Sequence, residues 1–362
     1  MASSPRASDP RFSSPQNGAA DPALLRVMQN LLDSVAEEMG TALERTGFSP
    51  NIRERRDYSC AIFDAGGEMV AQAAHIPVHL GSTPLSVAAA LEAHRFAPGD
   101  TVILNDPYRG GTHLPDLTVV SAVFDDGDEG NPIFYVANRA HHADVGGATR
   151  GSMGLFTEIY QEGLRIPPVL LTRGGEEVAD TLALVLANMR QPEERRGDLR
   201  AQRIANEVGA QGLRRLLARG DRDELLAYCN HLKDAAERHV RALLARIPDG
   251  RYSAEERLDD DGQGATDIPL RVRIDVHGEN ATIDFSESAD AIDGCLNANH
   301  AIAVSAAFYV LRSLAGAEIP SNAGCLRPVE VIVRPGSILD PAPPAAVAGG
   351  NVETSQRIVD LL

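Results

Sequence analysis

The stretch NDPYRGGTHLPDLTVV (Asn105–Val120), followed after a variable segment by IFYVANRAHHADVGG (Ile133–Gly147), decides how the rest of the chain is read. A loop rich in Gly and Pro carries Asp106, His113 and Asp116. A strand-like run, Ile133 to Ala137, then delivers His141, His142 and Asp144. Gly110-Gly111 and Gly146-Gly147 permit a backbone to approach a ligand closely. His113 and Asp116 are three apart, but Pro115 pushes Leu114 out of the helical region, so the piece is a turn or extended. A turn still lets both side chains converge on one ion. Neighbours on a strand face opposite ways, so His141 and His142 cannot both point inward. His141 is read as the ligand and His142 as a supporting or substrate-facing group.

The flanking segments are predicted as follows. TVILN (101–105) is a buried strand feeding the loop, and LTVVSAVF (117–124) is the strand after it. The acidic DDGDEGNP (125–132) is the turn before the strand that ends at His141. Upstream, CAIF and MVAQA form a hairpin through DAGGE, with Asp57 just before it. His75 and His79 follow, either near the site or as satisfied structural groups, and Thr83–His94 is a helix. Asp21 caps a long amphipathic helix over 22–46 with Pro22 at its first position and Gly47 at its end. Residues 1–20, rich in Ser, Pro, Ala and Gly, read as a disordered tail.

Downstream, residues 151–171 read as a loop crossing over a site, with Glu158 and Glu162 as its polar points. Residues 176–246 are helical by pattern, with Asp198 as N-cap of the helix beginning LRAQRIANEV. Pro248-Asp249-Gly250 is a strong turn and the expected main boundary. Beyond it, PLRVRIDVHG and NATIDFSES are two strands, 299–315 a helix and 329–337 a strand. Gly350-Asn351 opens a last helix in the manner of an anion-receiving helix start. The expected fold class is therefore α+β, mixed sheets with long helices. The organisation expected is a metal-site domain over 21–248 and a β-rich domain over 249–362.

Composition bounds the function. The chain has 362 residues, with 34 basic against 51 acidic side chains and a net charge of −17. That excludes general nucleic-acid binding, which needs Lys and Arg against phosphates, and it opposes an anionic membrane surface. Cys60, Cys229, Cys295 and Cys325 form no C-x-x-C pair, which fits a reducing cytoplasm. The N-terminus lacks the apolar core of a signal peptide, and the longest apolar-rich run, 301–311, is too short to span a bilayer. There is no G-x-x-x-x-G-K-[ST], no G-x-G-x-x-G and no G-x-S-x-G.

From the residues alone, the strongest site is a divalent metal on Asp57, His113, Asp116 and His141, read against ordinary hydrogen-bonded loop residues. Such a mixed N/O set suits Zn, Mn or Fe rather than Ca. Asp106 and Asp144 either orient the histidines or cap turns. Glu158 is either a general base on the covering loop or a solvated charge. Arg139 either meets a substrate carbonyl or carboxylate or forms a structural ion pair. The proposed catalytic set is His142, Asp144 and Glu158.

NDPYRGGTHLPD, AHHADVGG, RERRDYSCAIFD (53–64), NMRQPEERRGDLRAQ (188–202), DFSESADAIDGCLNAN (284–299) and GGNVETSQR (349–357) together resemble the hydantoinase B / 5-oxoprolinase B-subunit family. The related acetone-type carboxylase alpha subunits share the general pattern. The resemblance covers about Asp21 to Leu362. It implies a catalytic metal at Asp57, His113, Asp116 and His141, in the N-terminal part. It also implies a cyclic-amide substrate such as a hydantoin or 5-oxoproline, and ATP bound by a hydantoinase A-type ATPase partner in a hetero-oligomer. Family members continue past GGNVETSQR, so the chain is expected to be C-terminally incomplete. A carboxylase subunit and a non-catalytic scaffold for the partner ATPase are the alternatives.

Overall fold

The computed structural model describes residues 21–74, 76–79, 81–125, 130–316 and 319–362. The expected tail over 1–20, His75 and most of the acidic turn after Asp125 lie outside the described residues.

The strands β1 (Tyr58–Asp64), β2 (Met69–Ala74), β3 (Thr101–Leu104), β4 (Asp116–Val123), β5 (Phe134–His141), β6 (Val169–Arg173) and β7 (Glu176–Glu177) form one sheet in the order β2-β1-β5-β4-β3-β6-β7. All its pairs are antiparallel. A second sheet, β8 (Gly250–Asp260), β9 (Thr266–His277), β10 (Asn280–Asp284) and β11 (Val329–Ile332), runs β11-β10-β9-β8 and is mixed, because β10 pairs with β11 in parallel. The helices are α1 (Pro22–Thr46), α2 (Pro50–Arg53), α3 (Thr83–Ala93), α4 (Ile159–Glu162), α5 (Ala179–Ala187), α6 (Pro192–Arg219), α7 (Arg222–Leu244), α8 (His300–Ala315) and α9 (Ser355–Leu361). The fold is α+β, as the hydrophobic periodicities predict.

The large sheet is covered on both faces, and the alternation along β1 shows how. Tyr58, Cys60 and Ile62 pack with residues of α1, α6 and α7, whereas Ala61 and Phe63 pack with α3, α8 and the small sheet. The second cluster holds residues from Ala61 to Leu361, on both sides of the Pro248-Asp249-Gly250 turn. The first face forms because α1 carries Leu24, Met28, Leu32, Val35, Met39 and Leu43 at helical spacing, all buried. Met39 is fully buried, so truncating it to Ala would cost about 2–5 kcal/mol. Asp21 caps α1 through the Ala23 N–H at 2.9 Å, and the Gly47 N–H closes it on the Leu43 carbonyl at 2.8 Å.

Three local expectations are corrected. The segment expected to be a crossing loop also supplies α4 and β6, the latter paired with β3. The helix expected to begin after Asp198 begins at Pro192, so Asp198 lies inside α6. Its carboxylate instead accepts from the Phe48 and Ser49 N–H groups at 2.8 and 3.0 Å, in the link between α1 and α2. Finally, the Gly350 N–H donates to the Cys295 carbonyl at 3.0 Å and is not free for an anion. A Cβ on Gly350 would sit 1.9 Å from the Asn297 carbonyl oxygen, so the glycine serves close backbone packing.

Candidate metal centre

Strand register builds half of the site. Asp116, the first residue of β4, pairs with His141, the last residue of β5. The His141 N–H donates to the Asp57 carbonyl at 3.0 Å, so Asp57, immediately before β1, arrives at the same strand end. The side chains of Asp116 and His141 share the face that carries Val120 and Ala122, beneath α3 and α8. The His141 Nδ1 lies 3.2 Å from Asp116 Oδ1 and 4.0 Å from Asp57 Oδ2.

The loop supplies the rest. Asn105 Nδ2 donates to the Leu114 and Leu164 carbonyls at 2.7 and 3.0 Å, and its Oδ1 accepts from the Ile166 N–H at 2.6 Å. Asn299, the N-cap of α8, holds the other side, with Nδ2 facing the carbonyls of Pro107, Gly111 and Thr112 at 3.1, 3.0 and 2.8 Å. Gly110 has φ +87°, and a Cβ there would meet the Leu85 carbonyl oxygen at 2.3 Å. The glycine pairs thus admit neighbouring backbone. Fixed in this way, His113 faces His141 with ring centroids 5.0 Å apart. One ligand atom each from His113, Asp116 and His141 lie within 4.8 Å of one another.

Electrostatics and burial favour a cation here. His113 is 1% exposed, and neither ring nitrogen has a hydrogen-bond partner among the described residues. Its Nδ1 is 3.3 Å from Asp116 Oδ2, but off the hydrogen-bond direction. An unmade buried hydrogen bond costs about 1–3 kcal/mol, which a metal bond would offset. Burial holds the His113 imidazole neutral, as ligation requires. Burial alone would raise the Asp116 carboxyl, but His113, His79 and His141 outweigh it and keep it well below the usual carboxylate range. His141 is drawn the other way: burial opposes its cation, yet the Asp116 hydrogen bond raises it. The residues therefore fit a divalent metal with mixed N/O ligands.

The other candidates are dispersed. His142 is buried on the opposite face, its Nε2 2.9 Å from Gln202 Oε1 of α6, and burial pushes it down to about 4. Asp144 accepts from the N–H groups of Gly146, Gly151 and Arg190 at 2.8, 3.1 and 3.1 Å and pairs with the Arg190 guanidinium at 3.0 Å. Asp106 accepts from the Tyr108 N–H at 3.0 Å, in the manner of a turn cap. Glu158 is exposed just before α4, its backbone bridged to Ala345, and no hydrogen bond or ion pair joins it to the cluster. Arg139 is buried against the Ser82, Ser86 and Thr118 hydroxyls and has no ion pair among the described residues. Glu162 is buried, its Oε1 accepting from the Val347 and Ala348 N–H groups at 2.8 Å each.

His79 belongs to the site. Its Nε2 is 3.2 Å from Asp116 Oδ2 and its Nδ1 is 3.0 Å from Ser59 Oγ. Since a carboxylate only accepts, Nε2 donates and Nδ1 accepts from the hydroxyl. Thr112 Oγ1 also donates to Asp116 Oδ2 at 2.9 Å. Thr112 and Asn299 carry no signal in the sequence, because their partners are a nearby carboxylate and three carbonyls that only the folded loop presents.

Comparison with known proteins places the chain in a family. The chain is 39% identical over 359 residues to the 5-oxoprolinase of Saccharomyces cerevisiae, covering 94% of this chain and 27% of that protein. It is 35% identical over 348 residues to the caprolactamase subunit beta of Pseudomonas jessenii, covering 59% of that subunit. The crystal structure of the ATP-dependent caprolactamase from that organism superposes with a TM-score of 0.87 at 32% identity, over 95% of this chain and 59% of that one. Nucleotide-free acetone carboxylase shares the fold, with a TM-score of 0.80 at 17% identity over 91% of this chain and 46% of that one. The chain thus spans about a quarter to three fifths of these relatives. Residues 21–362 match the family described as hydantoinase B/oxoprolinase, and the chain belongs to that family.

Proposed function

We propose that this chain is the B-type component of an ATP-dependent cyclic-amide hydrolase that opens a hydantoin or 5-oxoproline-type lactam ring, with ATP bound by a hydantoinase A-type partner in a hetero-oligomer. The observation that carries this reading is the convergence of His113, Asp116 and His141 at one strand end, with Asp57 beside them. An unstrained amide is a poor electrophile with a bad leaving group. Phosphorylation of its oxygen by the partner would make the ring carbon a better electrophile. The chain has no phosphate-binding fingerprint, so the nucleotide belongs elsewhere.

In this reading Asp57, His113, Asp116 and His141 hold a Zn, Mn or Fe ion. Bound there, the metal supplies Lewis acidity to a carbonyl or phosphoryl oxygen. Asp116 keeps its charge and fixes the rings of His79 and His141. His142 and Asp144 position rather than touch: the first through Gln202, the second by closing the 144–151 turn onto Arg190. Glu158 is the exposed carboxylate of the segment between β5 and β6 and the general-base candidate. Glu158→Gln would then lower kcat by about 100-fold or more with metal content unchanged. Four buried free cysteines suit a reducing compartment such as the cytoplasm. Among the described residues, no helix is long and apolar enough to cross a membrane.

The deciding experiment is co-purification with the A-type ATPase, followed by ATP turnover with 5-oxoproline, hydantoins, and acetone plus bicarbonate. Turnover that requires a lactam or hydantoin and a metal supports the hydrolase. Turnover that requires acetone and bicarbonate replaces it with a carboxylase. A metal-free, fully active complex reduces this chain to a scaffold.

A further inference from the structure

Among the described residues the two sheets have four edges, and three of them are short or covered. β7 has two residues and β11 four, while β2 is buried at Met69, Val70, Ala71 and Ala73. β8 is different. It runs for 11 residues at the edge of the small sheet, and every residue from Gly250 to Arg257 is exposed. Side chains alternate between faces along a strand, so both faces of this run are open. An unpaired edge presents free N–H and C=O groups, and proteins guard it with Pro, bulges or a covering element. β8 contains no Pro, and its register with β9 is unbroken from Gly250 opposite Val276 to Leu258 opposite Ile268.

Charged side chains can also guard an edge, but on β8 their order is self-complementary. An antiparallel two-fold ladder centred on one residue fixes every other pair across it. Centred on Ser253, Arg251 of each copy lies opposite Glu255 of the other, and Tyr252 lies opposite Ala254. Centred on Ala254, Arg251 meets Arg257. Centred on Glu255, Glu256 or Arg257, that charged residue meets its own copy. Like charges directly opposite one another destabilise a ladder. Of these registers only the first opposes no like charges, and it spans 250–256, inside the exposed run.

We propose that β8 is the contact through which two copies of this chain associate, edge to edge and antiparallel about Ser253, joining two four-stranded sheets into one of eight strands. A two-fold contact uses the same patch on both copies and so requires a self-complementary one, which the charge order of β8 supplies. Backbone hydrogen bonds across the edge give the affinity. Arg251 already pairs with Asp275 at 2.7 Å and Glu255 with Arg271 at 2.6 Å, all on the exposed face. The charges across the two-fold therefore select register more than they add strength. The proposal uses none of the candidate metal ligands and is independent of the functional reading.

The test is sedimentation velocity of the purified chain and of two charge reversals. Wild type should sediment as a dimer of the 38.6 kDa chain. Arg251→Glu sets two acids opposite each other across the two-fold, and Glu255→Arg sets two bases opposite, so each variant alone should raise the dimer Kd by about 10-fold or more. Mixed in equal amounts, the two variants oppose acid to base at both positions and should recover a heterodimer. Each variant carries the same change alone and in the mixture, so recovery separates a lost contact from a folding defect. Hydrogen exchange should show amide protection within 250–256 in wild type that each single variant loses. A monomeric wild type, a dimer indifferent to both reversals, or no recovery on mixing overturns the proposal. So does protection of β8 that arises only when the A-type partner is added, which would give the edge to that partner.

Discussion

His113→Ala should release the metal while leaving the fold in place. The opposing local costs can be weighed from the structure. His113 is fully buried with both ring nitrogens unpartnered, so in the metal-free chain removing it relieves an unmade-hydrogen-bond cost of about 1–3 kcal/mol. Against this stands a cavity of ring size, whose cost is of the same order as other large-to-small changes, about 2–3 kcal/mol. The two nearly cancel, so Tm of the metal-free variant should lie within about 4 °C of wild type. Metal binding has no such compensation. Loss of a group that merely orients a ligand costs about 10- to 100-fold in affinity, so loss of a ligand should exceed about 100-fold. The assay is competition against a chelator with elemental analysis, beside thermal unfolding with and without metal. His94→Ala is the control, since it caps the C-terminal end of α3 and its Nε2 meets the Pro168 carbonyl at 2.9 Å. Metal retained at wild-type affinity by His113→Ala, or lost equally by His94→Ala, would refute the ligand set.

Three further outcomes are expected. Asn299→Ala strips three carbonyls of the His113 loop of their donor; it should lower stability by about 2–3 kcal/mol, seen in denaturant unfolding, and weaken metal binding as the loop loosens. Burial pushes the Glu162 carboxyl up from 4.5 to about 7, so the folded state prefers its protonated form. Stability from this group is present below pH 4.5 and is lost as pH rises through about 7; Glu162→Gln should gain about 3 kcal/mol on wild type across that window in unfolding titrations, and a pH-independent difference would contradict it. The purified chain should not turn over ATP without a partner, a point that a coupled phosphate-release assay settles.

Local chemistry was legible in the sequence. The cap and apolar stripe of α1, the β1–β2 hairpin, the strands leading into and out of the 105–116 loop, and the N-terminus of α8 all follow from interactions within a few residues. So does the reading of His113 as part of a turn, because Pro115 acts on its immediate neighbour. The alternation rule places His141 and His142 on opposite faces, and the structure shows them there, one against Asp116 and the other against Gln202.

Long-range partners were not legible, since nothing in a local pattern says what lies opposite. Asp198 has the form of a helix cap but instead accepts from the Phe48 and Ser49 N–H groups, about 150 residues away in sequence. Arg139 sits beside His141 in sequence yet on β5 faces three hydroxyls from β4 and α3. Register decides this: pairing Asp116 with His141 sets two candidate ligands side by side, and each residue along β5 then meets whatever α3 or α6 presents at that level. The sequence by itself determined which residue types the site is made from and that the chain is α+β. The tertiary structure decided which of them converge, and that His79 buttresses Asp116. Helix and strand periodicity are properties of a few consecutive residues, whereas convergence depends on sheet order and on loops fixed by side chains such as Asn299, nearly 190 residues distant from the carbonyls it holds.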